Sequence, residues 1–252
     1  MPSLFEPQWL LAVLAAPFVG SFLGVLARRL PAGARVVLGR SACPHCKRVL
    51  GPRDLVPVLS WLLSRGRCRH CAARISPFYP AIEIGALLVA VWAASALSGW
   101  LLWAGCVLGW TLLALAVIDQ RHLMLPDALT LPLVPAGLGV AYSIDPALLP
   151  DHAIGAAAGF IAFVFIGWAY RRLRGREGLG LGDAKLLAGA GAWVAWPGLP
   201  GVVLISALGA LAAVLLASLA GRPVSLTAKV PFGSFLCAAT WLVWLYGPLR
   251  LV

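Results

Sequence analysis

Residues 100–118 read WLLWAGCVLGWTLLALAVI, an unbroken run without a charge, and Asp119 follows at once. A helix rises about 1.5 Å per residue, so a run of this length comes close to crossing the roughly 30 Å hydrocarbon core of a bilayer. Backbone in lipid must satisfy its own N–H and C=O groups, which a single segment can do only as a helix. The stretch therefore predicts a membrane-spanning helix that meets a carboxylate where hydrocarbon gives way to water.

The same pattern recurs along the chain, with apolar runs at 8–27, 78–98, 100–118, 128–143, 153–170, 184–197, 200–220 and 232–249. The sixth (LLAGAGAWVAW) is short and Gly-rich enough to be re-entrant. Composition agrees: 61% of the residues are hydrophobic, 12% are charged, and the mean hydropathy is +0.91. Soluble domains carry about 25% charge, so a water-soluble globule is excluded. Disorder requires low hydrophobicity and is excluded as well. The expectation is an all-α polytopic membrane protein with about eight transmembrane helices. Its divisions are a first helix (1–29), a small cytoplasmic zinc-binding loop (30–77) and a multi-helix core (78–252). The opening MPSLFEPQWLL has no basic stretch before its apolar run and does not read as a cleavable signal peptide.

Twenty Lys and Arg stand against nine Asp and Glu. With the N-terminus outside, the inner segments are 28–77, 119–127, 171–183 and 221–231. Together with Lys185 these hold 19 of the 20 basic residues, leaving only Arg250 outside. Cytoplasmic loops collect positive charge, so this orientation is the expected one. Asp119 ends the third span and Asp183 opens the sixth. Two spans separate them, so parity places both at the cytoplasmic face, where the cysteine-bearing loop also lies.

That loop carries Cys43-Pro-His-Cys46 and Cys68-Arg-His-Cys71, 21 residues apart. Cytoplasmic thiols stay reduced. Four thiolates in two such pairs suit a tetrahedral structural zinc, whose binding would supply folding energy to a segment with little core. A redox pair is the alternative, but no thioredoxin-like unit surrounds either motif. His45 and His70 read as solvent-facing spacers, and Cys106 and Cys237, within spans, as small apolar fillers. The basic residues Arg40, Lys47, Arg48, Arg53, Arg65, Arg67, Arg69 and Arg74 would suit nucleic acid. Topology anchoring and contact with anionic headgroups of the bilayer explain them without a further partner, so no nucleic acid is expected.

Among the acids, Glu6, Asp145 and Asp151 fall outside and Asp54 and Glu177 fall in open polar loops, all reading as solvated. Glu83, Asp119, Asp127 and Asp183 remain at or near the cytoplasmic boundary, where ionisable groups are costly and become functional candidates. If Asp119 and Asp183 converge, like-charge repulsion keeps one protonated. Such a dyad can activate water with one carboxylate and polarise a peptide carbonyl with the other. Taken singly, each also reads as a helix-end residue or as a partner for Lys185 or Arg121. Asp127, after Leu125-Pro126, reads as a cap for the fourth span, or as a supporting carboxylate. Glu83 lies in the first turns of the second span, where it suits the helix dipole or supports the chemistry. Gly178-Leu-Gly-Leu-Gly182 before Asp183 permits close backbone approach. A proton-relaying transporter and a membrane-tethered nucleic-acid adaptor are the competing functional classes.

Taken together the motifs resemble the type IV prepilin peptidases, also called leader peptidase/N-methyltransferases. The resemblance rests on Gly20-Ser-Phe-Leu, Arg29-Leu-Pro31, both cysteine pairs with DLVPVLSWL (54–62) between them, and Tyr79-Pro-Ala-Ile-Glu83. It extends through IDQRHLMLPDALTLP (118–132), GLGLGDAKLLA (178–188) and Pro231-Phe-Gly-Ser-Phe-Leu236. It implies a bacterial inner-membrane aspartic protease with Asp119 and Asp183 as the catalytic pair and Asp127, Lys185 and Glu83 as supporting candidates. The implied substrates are prepilins or type II secretion pseudopilins, cut just after a glycine at the end of a short basic leader. Methylation of the new N-terminus by S-adenosylmethionine is implied as well, the four-cysteine loop marking bifunctional members. The chain departs from the pattern at Gly24, Phe78 and Ser234, where Asn, Arg and Pro are usual. The first two lie in or beside the region associated with methyl transfer.

Overall fold

The structure, a computed structural model, describes residues 7–34, 36, 39, 41–175, 178–221 and 230–248. Glu6, Arg40, Glu177 and Arg250 lie outside the described residues. Helices run over Pro7–Arg29 (α1), Leu59–Leu63 (α2), Phe78–Ala96 (α3), Gly99–His122 (α4), Asp127–Ile144 (α5), Leu149–Arg174 (α6), Leu181–Leu219 (α7) and Phe232–Tyr246 (α8). Among the described residues there is no strand, only two isolated antiparallel bridges in the cysteine segment. Among the described residues the fold is all-helical, and six helices are long and apolar enough to cross a membrane: α1, α3, α4, α5, α6 and α7. The apolar α8 is shorter, at 15 residues. The chain is thus a multi-pass membrane protein.

Prolines set several starts. Pro77, Pro126 and Pro231 immediately precede α3, α5 and α8. A missing N–H is harmless there, because the first turn of a helix leaves its N–H groups unpaired. At the far end of α6, Gly175 adopts the left-handed conformation (φ 66°) that closes a helix at little steric cost.

Two expected spans, 184–197 and 200–220, fall within the single 39-residue α7, which is broken at Ala195 (φ 57°, ψ 175°). Unbroken, it would separate residues 182 and 209 by about 40 Å. Instead, Leu125 Cδ1 lies 3.5 Å from a Cβ built on Gly182 and 2.9 Å from one built on Gly233, while Phe235 Cδ1 lies 3.1 Å from one built on Gly209. The helix therefore doubles back at Ala195. Pro197 lacks the N–H that would bond the Trp193 carbonyl, so the helix is weakest where it turns.

The chain divides into two compact units, Met1–Ala114 and Leu115–Val252. In the first, α1 packs on α3. Gly20 makes that approach possible, since a Cβ there would stand 2.6 Å from Glu83 Cα. The Trp110 indole N–H donates to the Ala86 carbonyl at 3.0 Å, tying α4 to α3. In the second unit α7 packs against α5, α6 and α8. Gly191 meets Gly155 of α6 so closely that neither position has room for a Cβ.

Candidate active site and metal centre

α4 continues past its apolar run, so Asp119 lies in its last turn rather than beyond its end. Its carboxylate is buried, with 5% of the residue exposed. Oδ2 accepts the backbone N–H of Ser234 at 2.7 Å and the Ser234 hydroxyl at 3.2 Å. Ser234 is the third residue of α8, and its N–H is one of the donors that a helix start leaves unpaired. Asp119 thus caps a helix distant in sequence, with its negative charge at the positive end of that helix dipole. The same hydroxyl lies 2.9 Å from the Ala116 carbonyl, anchoring Ser234 to the last turns of α4.

Asp183 is the third residue of α7 and half-buried, its Oδ2 accepting the Gly180 N–H at 3.3 Å. Contacts link the two acids. A Cβ on Gly233 would stand 3.0 Å from Asp119 Oδ2 and 2.9 Å from Leu125 Cδ1, and that same methyl faces Gly182, the residue before Asp183. The two carboxylates interact electrostatically, and both act on the buried Cys237. Two acids therefore lie near one another at the starts of two helices, an arrangement able to divide proton acceptance and donation between them. Gly233→Ala should push the Asp119 carboxylate aside by a few tenths of an ångström. A displacement of that order costs about tenfold or more in a positioned reaction, and rate measurements on a peptide substrate will show it.

Asp127 does not cap its helix: Pro126 holds the cap position and no side-chain cap bond forms. Its carboxylate instead takes both ends of an ion pair with Lys185 Nζ, at 2.7 and 2.8 Å. The next turn of α7 is thereby tied to the start of α5. Both groups are partly open, with side-chain exposures of 28% and 56%, so the pair is worth at most about 1 kcal/mol. Lys185→Met should lower thermal stability by no more than that, as read by unfolding of the purified protein. Glu83 is buried in the first unit and accepts the Val58 N–H at 2.7 Å.

The four cysteines form a second site. Each pair folds alike: Cys43 N–H donates to Arg48 C=O and Cys68 N–H to Ala73 C=O, both at 2.9 Å. Lys47 (φ 58°) and Ala72 (φ 55°), each just after the second cysteine, turn left-handed. The bridges Ala42–Val49 and Arg67–Arg74 close the two knuckles. All four Sγ atoms lie within 4.8 Å of one another, and those of Cys43 and Cys71 are 3.8 Å apart. Thiolates at about 2.3 Å from a tetrahedral zinc stand about 3.8 Å apart, so the set fits that ion. Backbone N–H groups of Cys46 and His45 lower the Cys43 thiol to about 6, despite the opposing effect of burial. At Cys71 the Ala73 N–H pulls the other way, but burial and the neighbouring sulfurs win and push it to about 11. His45 and His70 are exposed, as spacers should be.

Sequence reasoning named the two acids and the four cysteines but gave no role at the site to Ser234, Gly233 or Leu125, and took Cys237 as an apolar filler. The only available signal was Pro231-Phe-Gly-Ser234, a proline-started helix with small residues in its first turn.

Two family models match the chain: the Bacterial Peptidase A24 N-terminal domain over residues 14–97 and the Type IV leader peptidase family over residues 106–221. A prepilin leader peptidase/N-methyltransferase of Aeromonas hydrophila is 38% identical, over 94% of this chain and 90% of its own. Proteins of the same name from Burkholderia pseudomallei (strain 1026b) and Pseudomonas aeruginosa are 40% and 35% identical, covering 92% and 94% of this chain and 83% and 90% of their own. No solved structure matches. With relatives this similar along nearly its whole length, the chain belongs to the type IV leader peptidase family.

Proposed function

We propose that this protein is a bifunctional enzyme of the bacterial inner membrane. It removes the short basic leader of type IV prepilins or type II secretion pseudopilins after a glycine, then methylates the exposed N-terminal amine. The observation that carries the first activity is the approach of Asp119 and Asp183 to one another through Gly233, Leu125 and Gly182. One carboxylate takes a proton from water as that water attacks the scissile carbonyl. The other donates its proton to the carbonyl oxygen; as the tetrahedral diol collapses, the first passes the water-derived proton to the leaving nitrogen while the C–N bond breaks, and the second recovers its proton from a diol hydroxyl as the carbonyl re-forms. Ser234 holds Asp119, and Gly180 holds Asp183, in the orientation this exchange needs.

The basic residues of the loops favour an outside N-terminus, eight crossings (α7 supplying two) and a dyad at the cytoplasmic face. A prepilin keeps its positive leader in the cytoplasm and its apolar helix in the bilayer, so its cleavage point lies at that level. The division into a first helix, a four-cysteine segment and a multi-helix core belongs to the same reading. Cys43, Cys46, Cys68 and Cys71 hold a structural zinc, which would supply the fold of the loop rather than any step. S-adenosylmethionine supplies the methyl group as an electrophile on a sulfonium. Mass spectrometry of a pilin processed in cells expressing only this enzyme tests both halves. The expected product begins after the glycine and is one methyl group heavier. An uncut pilin rejects the peptidase, and a cut but unmodified one rejects the transferase.

A further inference from the structure

Leu125 stands on the short link 123–126 between α4, which carries Asp119, and α5. The link is held at both ends. The Leu123 N–H donates to the Asp119 carbonyl at 2.9 Å, and the left-handed backbone of Leu123 (φ 52°) turns the chain off the helix. Pro126 keeps the residue before it extended. One residue further, Asp127 grips Lys185 of α7.

The Leu125 side chain, with 9% of the residue exposed, is thereby pinned against the two glycines that flank the acids. Its Cβ lies 3.1 Å from a Cβ built on Gly182, the residue before Asp183. Its Cδ1 lies 2.9 Å from one built on Gly233, which would also stand 3.0 Å from Asp119 Oδ2. Carbon atoms in contact rest about 3.5–4.0 Å apart, so a methyl added at either glycine has no room unless Leu125 gives way.

A peptide hydrolysed by the pair brings its carbonyl within reach of both carboxylates. The residue that owns this carbonyl has its Cα about 1.5 Å from the reacting carbon. Its side chain is therefore the part of the substrate held nearest to whatever separates the acids, here two bare glycines and the Leu125 side chain. Glycine enters such a gap by its backbone alone. Alanine brings a methyl against a leucine too firmly held to withdraw. We infer that Leu125 is the residue that restricts cleavage to glycine, its side chain closing the space that a substrate Cβ needs. The inference rests on the peptidase reading above and names the determinant of its specificity.

The test compares kcat/KM of the full-length protein in nanodiscs on two model prepilins that differ only in glycine or alanine before the cut. Wild type should favour glycine by about 10–200-fold, the range for one carbon in a fitted pocket. Leu125→Ala should lower that ratio at least about tenfold by raising the rate on the alanine substrate, with Leu125→Val in between. Both substrates meet the same preparation, so any loss of active protein cancels from the ratio. Leu133 packs on Gly189 much as Leu125 packs on Gly182, but about 9 Å along α7 from Asp183, so Leu133→Ala should keep the wild-type ratio. An unchanged ratio in Leu125→Ala overturns the inference, as does an unchanged ratio in Leu125→Val where Leu125→Ala cuts neither substrate. Equal relaxation in Leu133→Ala overturns it in favour of general loosening. Loss of all cleavage in both Leu125 variants while Leu133→Ala stays active overturns it in favour of a purely supporting side chain. A wild type that cuts both substrates equally overturns it while leaving the peptidase reading intact, and a wild type that cuts neither removes both.

Discussion

Asp119→Asn and Asp183→Asn should each abolish leader cleavage, lowering the rate by at least about a thousandfold. The substitutions are suited to the question because they leave the surroundings in place. An asparagine oxygen at position 119 can still accept the Ser234 N–H and hydroxyl, and one at 183 can still accept from Gly180. Folding, insertion and metal content should therefore be unchanged, while proton exchange with water and with the peptide carbonyl is lost. The double variant should be no slower than either single one, because residues that act as a unit are not additive. Cleavage of a model prepilin, followed on gels with purified wild type and variants, checks this. Normal processing by either single variant would reject the assignment of the dyad.

Replacing Cys43 and Cys46 together with Ser should release the metal and unfold the segment around it. The segment has little to hold it otherwise. Its regular structure consists of one five-residue helix, a short 3-10 turn and two isolated bridges. Structural zinc contributes about 10–16 kcal/mol to such folds, more than a loop of this kind can lose and survive. Zinc measured per chain should fall from one to near zero, and limited proteolysis should cut within 41–75. Cys106→Ala, which alters a buried thiol in α4, should keep the metal. Full metal retention in the Cys43/Cys46 variant would exclude this ligand set.

Much of this was legible in the chain alone because the controlling physics is local. A helix in lipid needs a long uncharged run, and such runs marked seven of the expected spans to within a few residues of a helix or of one arm of α7. Spacing sufficed for the knuckles, since Cys-x-x-Cys can close on one metal ligand pair without help from elsewhere. The break in α7 was less legible. The apolar runs left their gap at 198–199, but the turn falls at Ala195, because the carbonyls deprived of partners lie before the proline rather than after it.

Tertiary structure alone decided the rest. That Asp127 pairs with Lys185, that Glu83 holds the Val58 N–H, and that Ser234 restrains Asp119 across 115 residues depend on which helices pack together. No local pattern encodes such partners, for a hydrogen bond between distant segments depends on where the backbones come to lie. The residue order settled which stretches are long and apolar enough to cross a membrane and which sulfurs gather. Packing determined the orientation of the acids, because only close approach at Gly233, Gly182 and Leu125 fixes a carboxylate to within the fraction of an ångström that chemistry requires.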